Sequence, residues 1–206
     1  MRRTLSFVGL ALAFAAPAAS APPTISIQSS ERVVSGEETF QVSGAVASGR
    51  SGELVVIEAF ECGGYGIWQS YWKAETENGG TFVVSKASLG VNTDLRARWR
   101  GGVSNTITVK VHPYVLLRHA GSGRYDVGVS GNKFFEGSHG VLQRLTGGKW
   151  VRARTFTLHR SKNPGGPWSS VRITASVKRG TLLRAVLPKS QLGRCYLAGY
   201  SNAVTA

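Results

Sequence analysis

Residues 102–108, with the sequence GVSNTIT, recur near the end of the chain as GYSNAVT at residues 199–205. Other segments match between the two halves in the same order: residues 40–44 with 127–131, 56–60 with 141–145, 66–68 with 148–150, and 95–97 with 183–185. The offsets between matched segments run from 82 to 97 residues. Matches in register at a nearly constant offset indicate a duplicated structural unit of about 90 residues.

Apolar and polar side chains alternate in short runs within each unit, as at residues 39–44, 106–111 and 171–177. Period-two alternation is typical of strands that bury one face. Glycine pairs such as Gly63-Gly64 and Gly147-Gly148 separate the runs and suit tight strand reversals. Apolar residues make up 42% of the 206-residue chain, enough for packed cores. The pattern predicts an all-β chain of two tandem Ig-like β-sandwich domains.

The motifs can be written V-x-V-S-G, V-L-Q-R-x-x-G-G-K-W, L-R-A and G-x-S-N-x-V. The second unit carries them most clearly, at residues 141–144 and 147–150. They resemble the tandem Ig-like modules of exported proteins from high-GC Gram-positive bacteria. This resemblance implies a β-sandwich stalk, spacer or binding module without catalysis. The first unit departs from the motifs, with Glu58-Ala59 in place of Gln-Arg and a longer insert at residues 62–65.

The N-terminus has the layout of a secretory signal peptide. Arg2 and Arg3 precede an apolar run at residues 5–16, and Ala19-Ser20-Ala21 follows. The alternative of a membrane anchor is disfavoured because the apolar run is short for a membrane span. We therefore expect a signal peptide at residues 1–21, cleaved after Ala21, and a secreted or envelope-associated product. We expect one domain at residues 22–111 and a second at residues 112–206.

The two cysteines fall in different units. In a sandwich, Cys62 would follow the third strand of the first unit at the end facing the second unit. Cys195 would lie in the loop before the last strand of the second unit, at the end facing the first. Cysteine pairs in exported proteins are commonly oxidised to disulfides, so we predict a Cys62–Cys195 disulfide between the units. Free thiols or pairing between chains are the alternatives.

The net charge of +14 is concentrated in the second unit. Residues 112–206 hold fifteen lysines and arginines and two acidic residues, whereas residues 1–111 are nearly balanced. A field of one sign attracts polyanions, although a solvated basic surface is the alternative. The period-two alternation of a strand predicts that Arg152 and Arg154 lie on the same strand face as Trp150. The candidate polyanion-binding residues are Arg152, Arg154, Arg160, Lys162, Arg172 and Arg184.

An aromatic cluster in the first unit is a candidate for stacking on sugar rings. Alternation puts Trp68 and Trp72 on one strand face and Tyr71 on the other. Because Trp68 matches Trp150, we interpret it as a structural ring. Tyr65 and Trp72 remain as candidate glycan-stacking residues, with packing in the sandwich as the alternative.

The sequence favours a protein without catalysis. The four histidines lack the spacing of a zinc site, and neither a G-x-S-x-G elbow nor a P-loop occurs. We expect no catalytic residues, no cofactor and no metal. The predicted function is a non-catalytic exported spacer or binding module at the cell envelope. The alternative is a glycan- or polyanion-binding protein that uses its basic second domain, with an anionic envelope polymer, a glycan or another exported protein as partner and no specific nucleic acid.

Overall fold

The computed structural model describes residues 24–161 and 166–206. The expected signal peptide, its cleavage site after Ala21 and the candidate Lys162 lie outside the described residues. Within the described ranges, none of the helices is long and apolar enough to cross a membrane.

The first half of the chain forms two sheets that face each other. Its strands are β1 (Ile25–Ser29), β2 (Val33–Ser35), β3 (Phe40–Val46), β4 (Leu54–Glu61), β5 (Gln69–Glu75), β6 (Thr81–Ala87), β7 (Thr93–Trp99), β8 (Gly102–Val103) and β9 (Ile107–His112). One sheet has the order β1-β3-β6, and the other has the order β2-β9-β7-β4-β5 with β8 added beside β7. Side chains from both sheets, among them Ile27, Val42, Ile57 and Leu95, form one buried cluster.

The second half repeats this arrangement. Its elements are β10 (Tyr114–His119), β11 (Arg124–Ser130), β12 (His139–Thr146), β13 (Lys149–Thr157), β14 (His159–Arg160), β15 (Trp168–Thr174), β16 (Leu182–Leu187), α1 (Lys189–Leu192), β17 (Gly199–Tyr200) and β18 (Val204–Thr205). The sheets have the orders β10-β11-β15-β14 and β13-β12-β16-β17, with β18 also pairing with β16. Leu117, Val127, Leu142 and Leu183 contribute to a second buried cluster. The predicted all-β fold of two Ig-like sandwiches is confirmed.

The Ser-Asn pair of the G-x-S-N-x-V motif forms equivalent hydrogen bonds in both units. The Ser104 hydroxyl accepts a hydrogen bond from the Ala97 amide at 2.8 Å, and Ser201 does the same for Ala185 at 2.8 Å. The Asn202 side chain accepts from the Leu117 amide and donates to the Leu117 carbonyl, at 3.1 and 3.2 Å. In the first unit, Asn105 makes both bonds to Ile27 at 3.3 and 3.2 Å. Each asparagine thus ties the first strand of its unit to the opposite sheet.

The repeated V-S-G motif places a glycine against an aromatic ring in both units. A Cβ atom on Gly44 would lie 2.1 Å from the Ser26 carbonyl oxygen and 2.5 Å from the Phe82 ring. A Cβ atom on Gly131 would lie 3.1 Å from the Phe135 ring. The motif therefore keeps glycine because the ring occupies the space that a side chain would need.

A β-bulge in the first unit overturns the expected placement of its aromatic residues. Between β4 and β5, Ile57 pairs with Trp72 and Glu58 pairs with Ser70, so Tyr71 is an extra residue. An extra residue reverses the alternation of side chains beyond it. Trp72 therefore lies on the face opposite Trp68 and packs against the buried cluster. The prediction that Trp68 and Trp72 share a face was wrong.

The second unit has a bulge at the matching position, which corrects a second prediction. Between β12 and β13, Leu142 pairs with Arg154 and Gln143 pairs with Arg152, so Ala153 is the extra residue. Arg152 remains on the face of Trp150, as expected, but Arg154 lies on the opposite side. The expectation that both arginines share that face was wrong because period-two counting assumes an uninterrupted ladder.

Candidate functional site

A tryptophan stacked on an arginine occupies the outer sheet face of the first unit. The Arg96 guanidinium lies 4.1 Å from the centre of the Trp68 ring. Its Nε donates to Glu58 Oε2 at 2.7 Å, and the Arg98 Nε donates to Glu58 Oε1 at 2.8 Å. Glu58 is 12% exposed and pairs across the strands with Arg96. The carboxylate of Glu58 therefore balances part of the positive charge at this stack.

The two arginines stabilise the ionised form of Glu58. Burial opposes ionisation, but the hydrogen bonds and positive charges of Arg98 and Arg96 outweigh it, so the pKa of Glu58 lies below its ordinary value of 4.5. A depressed folded-state pKa adds stability at pH values above the unfolded-state pKa, and this stability is lost as the pH falls through the folded-state value.

We expect the Glu58→Gln variant to be less sensitive to acid than the wild-type protein. Glutamine has no charge to lose, so the free energy of unfolding of the variant should fall less between about pH 7 and about pH 3. Urea unfolding at both pH values measures this difference. Asp126 also pairs with an arginine, so Asp126→Asn serves as a comparison in the other unit. Equal acid sensitivity of wild type and Glu58→Gln would contradict the assignment.

The second unit carries the same stack without the carboxylate. The Arg184 guanidinium lies 4.4 Å from the centre of the Trp150 ring and 5.2 Å from that of Tyr200. Its Nε donates to Gln143 Oε1 at 2.9 Å. Gln143 occupies the place of Glu58 in the pairing, since it faces Arg184 across the strands. The hydrogen bond to Nε is thus kept in the second unit while the negative charge is absent.

Arg152 extends this face by one strand. It pairs with Gln143 from the other side, and Gln143 in turn pairs with Arg184. Directly paired residues on neighbouring strands point to the same side of a sheet. The salt bridges among residues 24–161 and 166–206 involve Arg96, Arg98, Arg100 and Arg172, and include neither Arg152 nor Arg184.

Arg154, Arg160 and Arg172, the other candidates within the described residues, lie elsewhere. The Arg154 guanidinium donates to the Thr174 carbonyl of the opposite sheet. Arg160 lies on β14, 3.9 Å from the centre of the Phe134 ring. Arg172 lies on β15 and forms a salt bridge with Asp126 at 2.7 Å. The structure therefore brings together Arg152 and Arg184 and separates them from Arg154, Arg160 and Arg172.

The predicted disulfide is present between Cys62 and Cys195, with a Cα–Cα distance of 5.3 Å. Backbone hydrogen bonds support it on both sides, because the Cys62 amide donates to the Asn92 carbonyl and the Asn92 amide donates to the Cys195 carbonyl, at 2.9 and 3.0 Å. The Leu197 amide also donates to the Val111 carbonyl at 2.9 Å. The loop before β17 is thus attached to the first unit by covalent and hydrogen bonds.

A cavity of about 850 Å³ opens beside the disulfide. Tyr65 and Lys133 contribute to its lining, and Tyr65 is 88% exposed. On the same side, the Glu61 carboxylate accepts hydrogen bonds from the Tyr71 hydroxyl and from the side-chain amide of Asn132. Tyr65 is accordingly available to solvent, whereas the other glycan-stacking candidate, Trp72, is turned toward the core.

Gln143 and Tyr200 belong to the Arg184 stack but are not among the candidate site residues predicted from the sequence. Both differ from their counterparts in the first unit, where Glu58 and Val103 stand at the matched positions. A comparison of the two copies position by position contains this signal. The two differences become informative only when the structure shows that both positions lie beside Arg184, the arginine of the L-R-A motif.

Comparisons with known proteins give neither a family nor a curated relative: no family model and no curated protein matches the chain. Among solved structures, the chain is similar to a tetra-tandem repeat in the extending region of a large adhesion protein, with 13% identity, a TM-score of 0.35 and coverage of 89% of this chain. The chain spans 49% of that structure. It is also similar to a cytokine receptor complex, with 14% identity, a TM-score of 0.33 and coverage of 87% of this chain and 94% of that one. For bovine butyrophilin the values are 13% identity, a TM-score of 0.32 and coverage of 90% and 99%.

Proposed function

We propose that the chain is a non-catalytic interaction module whose two Ig-like domains, residues 22–111 and 112–206, are held at a fixed angle outside the cytoplasm. The observation that carries this proposal is the disulfide between Cys62 of the first unit and Cys195 of the second. A bridge between domains limits their relative motion, which is what a spacer or a binding platform requires and what independent domains on a linker lack.

The disulfide also supports the proposed location. Disulfides persist in oxidising compartments and are rare in the cytosol, where thiols are kept reduced. The proposed signal peptide at residues 1–21 would deliver the chain to such a compartment. We propose the cell envelope or the extracellular medium as its site of action.

Contacts around the disulfide add to the rigidity of the pair. Asn92 of the first unit accepts a hydrogen bond from the Val111 amide at 2.7 Å and donates to the Arg194 carbonyl at 3.3 Å. The His112 ring is hydrogen-bonded to the Ala198 carbonyl. Pro113 alone separates β9 from β10, so the connection between the units has little freedom of its own.

A distance measurement between the units tests the fixed angle. Spin labels on non-natural amino acids at the exposed positions Asn78 and Lys149 leave both cysteines intact. We expect a single narrow distance distribution in the oxidised protein and a broader one after reduction. A second pair of labels within the second unit, at Lys149 and Arg179, should give the same distribution in both states. An oxidised protein with a distribution as broad as the reduced one would contradict the proposal.

Fractionation of cells that express the full chain tests the location. We expect the protein in the envelope or medium fraction, and its retention in the cytoplasm when residues 2–21 are deleted. Cytoplasmic protein from the full chain would contradict the proposed export.

A further inference from the structure

We infer that the outer face of the second unit formed by β13, β12, β16 and β17 binds an anionic polysaccharide. We call this surface the Arg184 face and define it by Trp150, Arg152, Gln143, Arg184 and Tyr200. The inference rests on the proposed function as an interaction module and names the chemical class of its ligand.

The pairing of the strands places these residues side by side. Arg152, Gln143 and Arg184 form one row across three strands. Val186 lies two residues beyond Arg184 and pairs with Tyr200, so Tyr200 points to the same side. Two arginines and two aromatic rings therefore share one outward surface.

Duplication supplies an internal comparison for the charge of this surface. In the first unit, the Glu58 carboxylate lies 2.7 Å from Arg96 Nε and 2.8 Å from Arg98 Nε. In the second unit the corresponding acceptor is the neutral amide of Gln143, at 2.9 Å from Arg184 Nε. The same hydrogen bond holds both arginines in place, but Arg184 forms no salt bridge with any carboxylate of residues 24–161 and 166–206. A protein surface that holds a cation in place without neutralising it is suited to an external anion.

The acidic residues of the second unit lie outside the strands that form this surface. Residues 112–206 contain two of them against fifteen lysines and arginines. Asp126 lies on β11 in the other sheet and is paired with Arg172. Glu136 lies in the connection between β11 and β12, outside the sheet that carries the Arg184 face. The positive field at this face is therefore not cancelled within the described part of the unit.

The geometry favours a polymer with anionic groups on sugar rings. Arg152 and Arg184 lie on the two strands that flank β12, which separates their backbones by about 9–10 Å. A polymer can supply one anionic group to each arginine, and a guanidinium can bind a sulfate or a carboxylate through two N–H groups. The Tyr200 side chain is 51% exposed, and a flat aromatic ring of this kind can stack on a pyranose face.

Binding of the purified full chain to heparin tests the inference, with neutral dextran as the uncharged polysaccharide. The decisive variant is Gln143→Glu, which gives Arg184 the carboxylate that Arg96 has in the first unit. We expect about tenfold weaker heparin binding, the scale on which one charge-assisted contact contributes. Gln28→Glu makes the same change in net charge on an exposed strand position of the first unit and should weaken binding less than about twofold.

Three further measurements test the site and the class of ligand. Glu58→Gln removes the carboxylate from the stack of the first unit and should strengthen heparin binding. Polyphosphate of matched charge offers anionic groups without sugar rings, so we expect it to bind more weakly than heparin. Tyr200→Val introduces the residue type of the first unit and should remove that difference.

Equal effects of Gln143→Glu and Gln28→Glu would overturn the assignment of the face, because binding would then follow net charge alone. Polyphosphate that binds as tightly as heparin would overturn the assignment of a polysaccharide. Either result leaves the fixed angle between the units untouched, since that property is measured by the distance distribution and does not depend on Gln143. Urea unfolding of each variant establishes that the fold is retained.

Discussion

Replacement of Cys62 and Cys195 together by alanine is expected to lower the free energy of unfolding by about 3–5 kcal/mol. The two cysteines are 133 residues apart in sequence, so the disulfide closes a long loop and restricts the unfolded chain strongly. The two half-cystines also pack against the buried cluster of the second unit, and the shorter side chains would lose part of that contact. Both effects act in the same direction.

Urea unfolding of the variant and of the wild-type protein measures the loss. Reduction of the wild-type protein should reproduce most of it, and the reductant should leave the variant unchanged. We also expect the two units to unfold in separate transitions once the bridge is gone, because fewer bonds then couple them. A loss below about 1 kcal/mol would contradict the role assigned to the bridge.

Gly44→Ala is expected to lower the free energy of unfolding by about 3 kcal/mol, at the upper end of the cost of overpacking. The new methyl group would lie 2.1 Å from the Ser26 carbonyl oxygen, which is part of the neighbouring strand and cannot rotate away. It would also lie 2.5 Å from the Phe82 ring, which is fully buried. Accommodation therefore requires the sheet β1-β3-β6 to move.

Gly36→Ala is the matched control. A methyl group at Gly36 would meet its nearest neighbours at 3.5 Å, which is ordinary contact. We expect the control to change the free energy of unfolding by less than about 0.5 kcal/mol in either direction. If Gly44→Ala were as stable as Gly36→Ala in urea, the explanation given for the repeated V-S-G motif would be wrong.

The strands could be predicted from the sequence because their burial follows alternation in the simplest way. Phe40, Val42 and Val46 are buried in β3 while Gln41 is exposed, as period two requires. The disulfide could also be predicted, because the order of strands in a sandwich determines which loops meet at the junction between two copies. These features depend on local pattern and on topology alone.

Neither the bulge between β4 and β5 nor the bulge between β12 and β13 could be predicted in this way. Each depends on one extra residue, Tyr71 in β5 and Ala153 in β13. Neither is a glycine or a proline, which would indicate an interruption of the strand. A bulge is a property of the pairing between two strands, so it becomes visible only when the partner is known. Every face assignment beyond it, including those of Trp72 and Arg154, was therefore reversed.

Only some residues of the Arg184 face could be predicted from the sequence. The charge of the second unit indicates Arg152 and Arg184, but it equally indicates Arg160 and Arg172, which lie on the other sheet. Gln143 was noted as a difference from Glu58 without its consequence, because that consequence lies in a cross-strand contact with Arg184. The charge of a surface depends on which residues the ladder brings into contact.

The matched bulges keep equivalent positions of the two copies pointing in the same direction, so a change at such a position alters one surface and leaves the architecture alone. Codons for glutamate and glutamine differ at a single base. A point mutation can therefore change the charge of this surface in either copy independently, without any change of the fold.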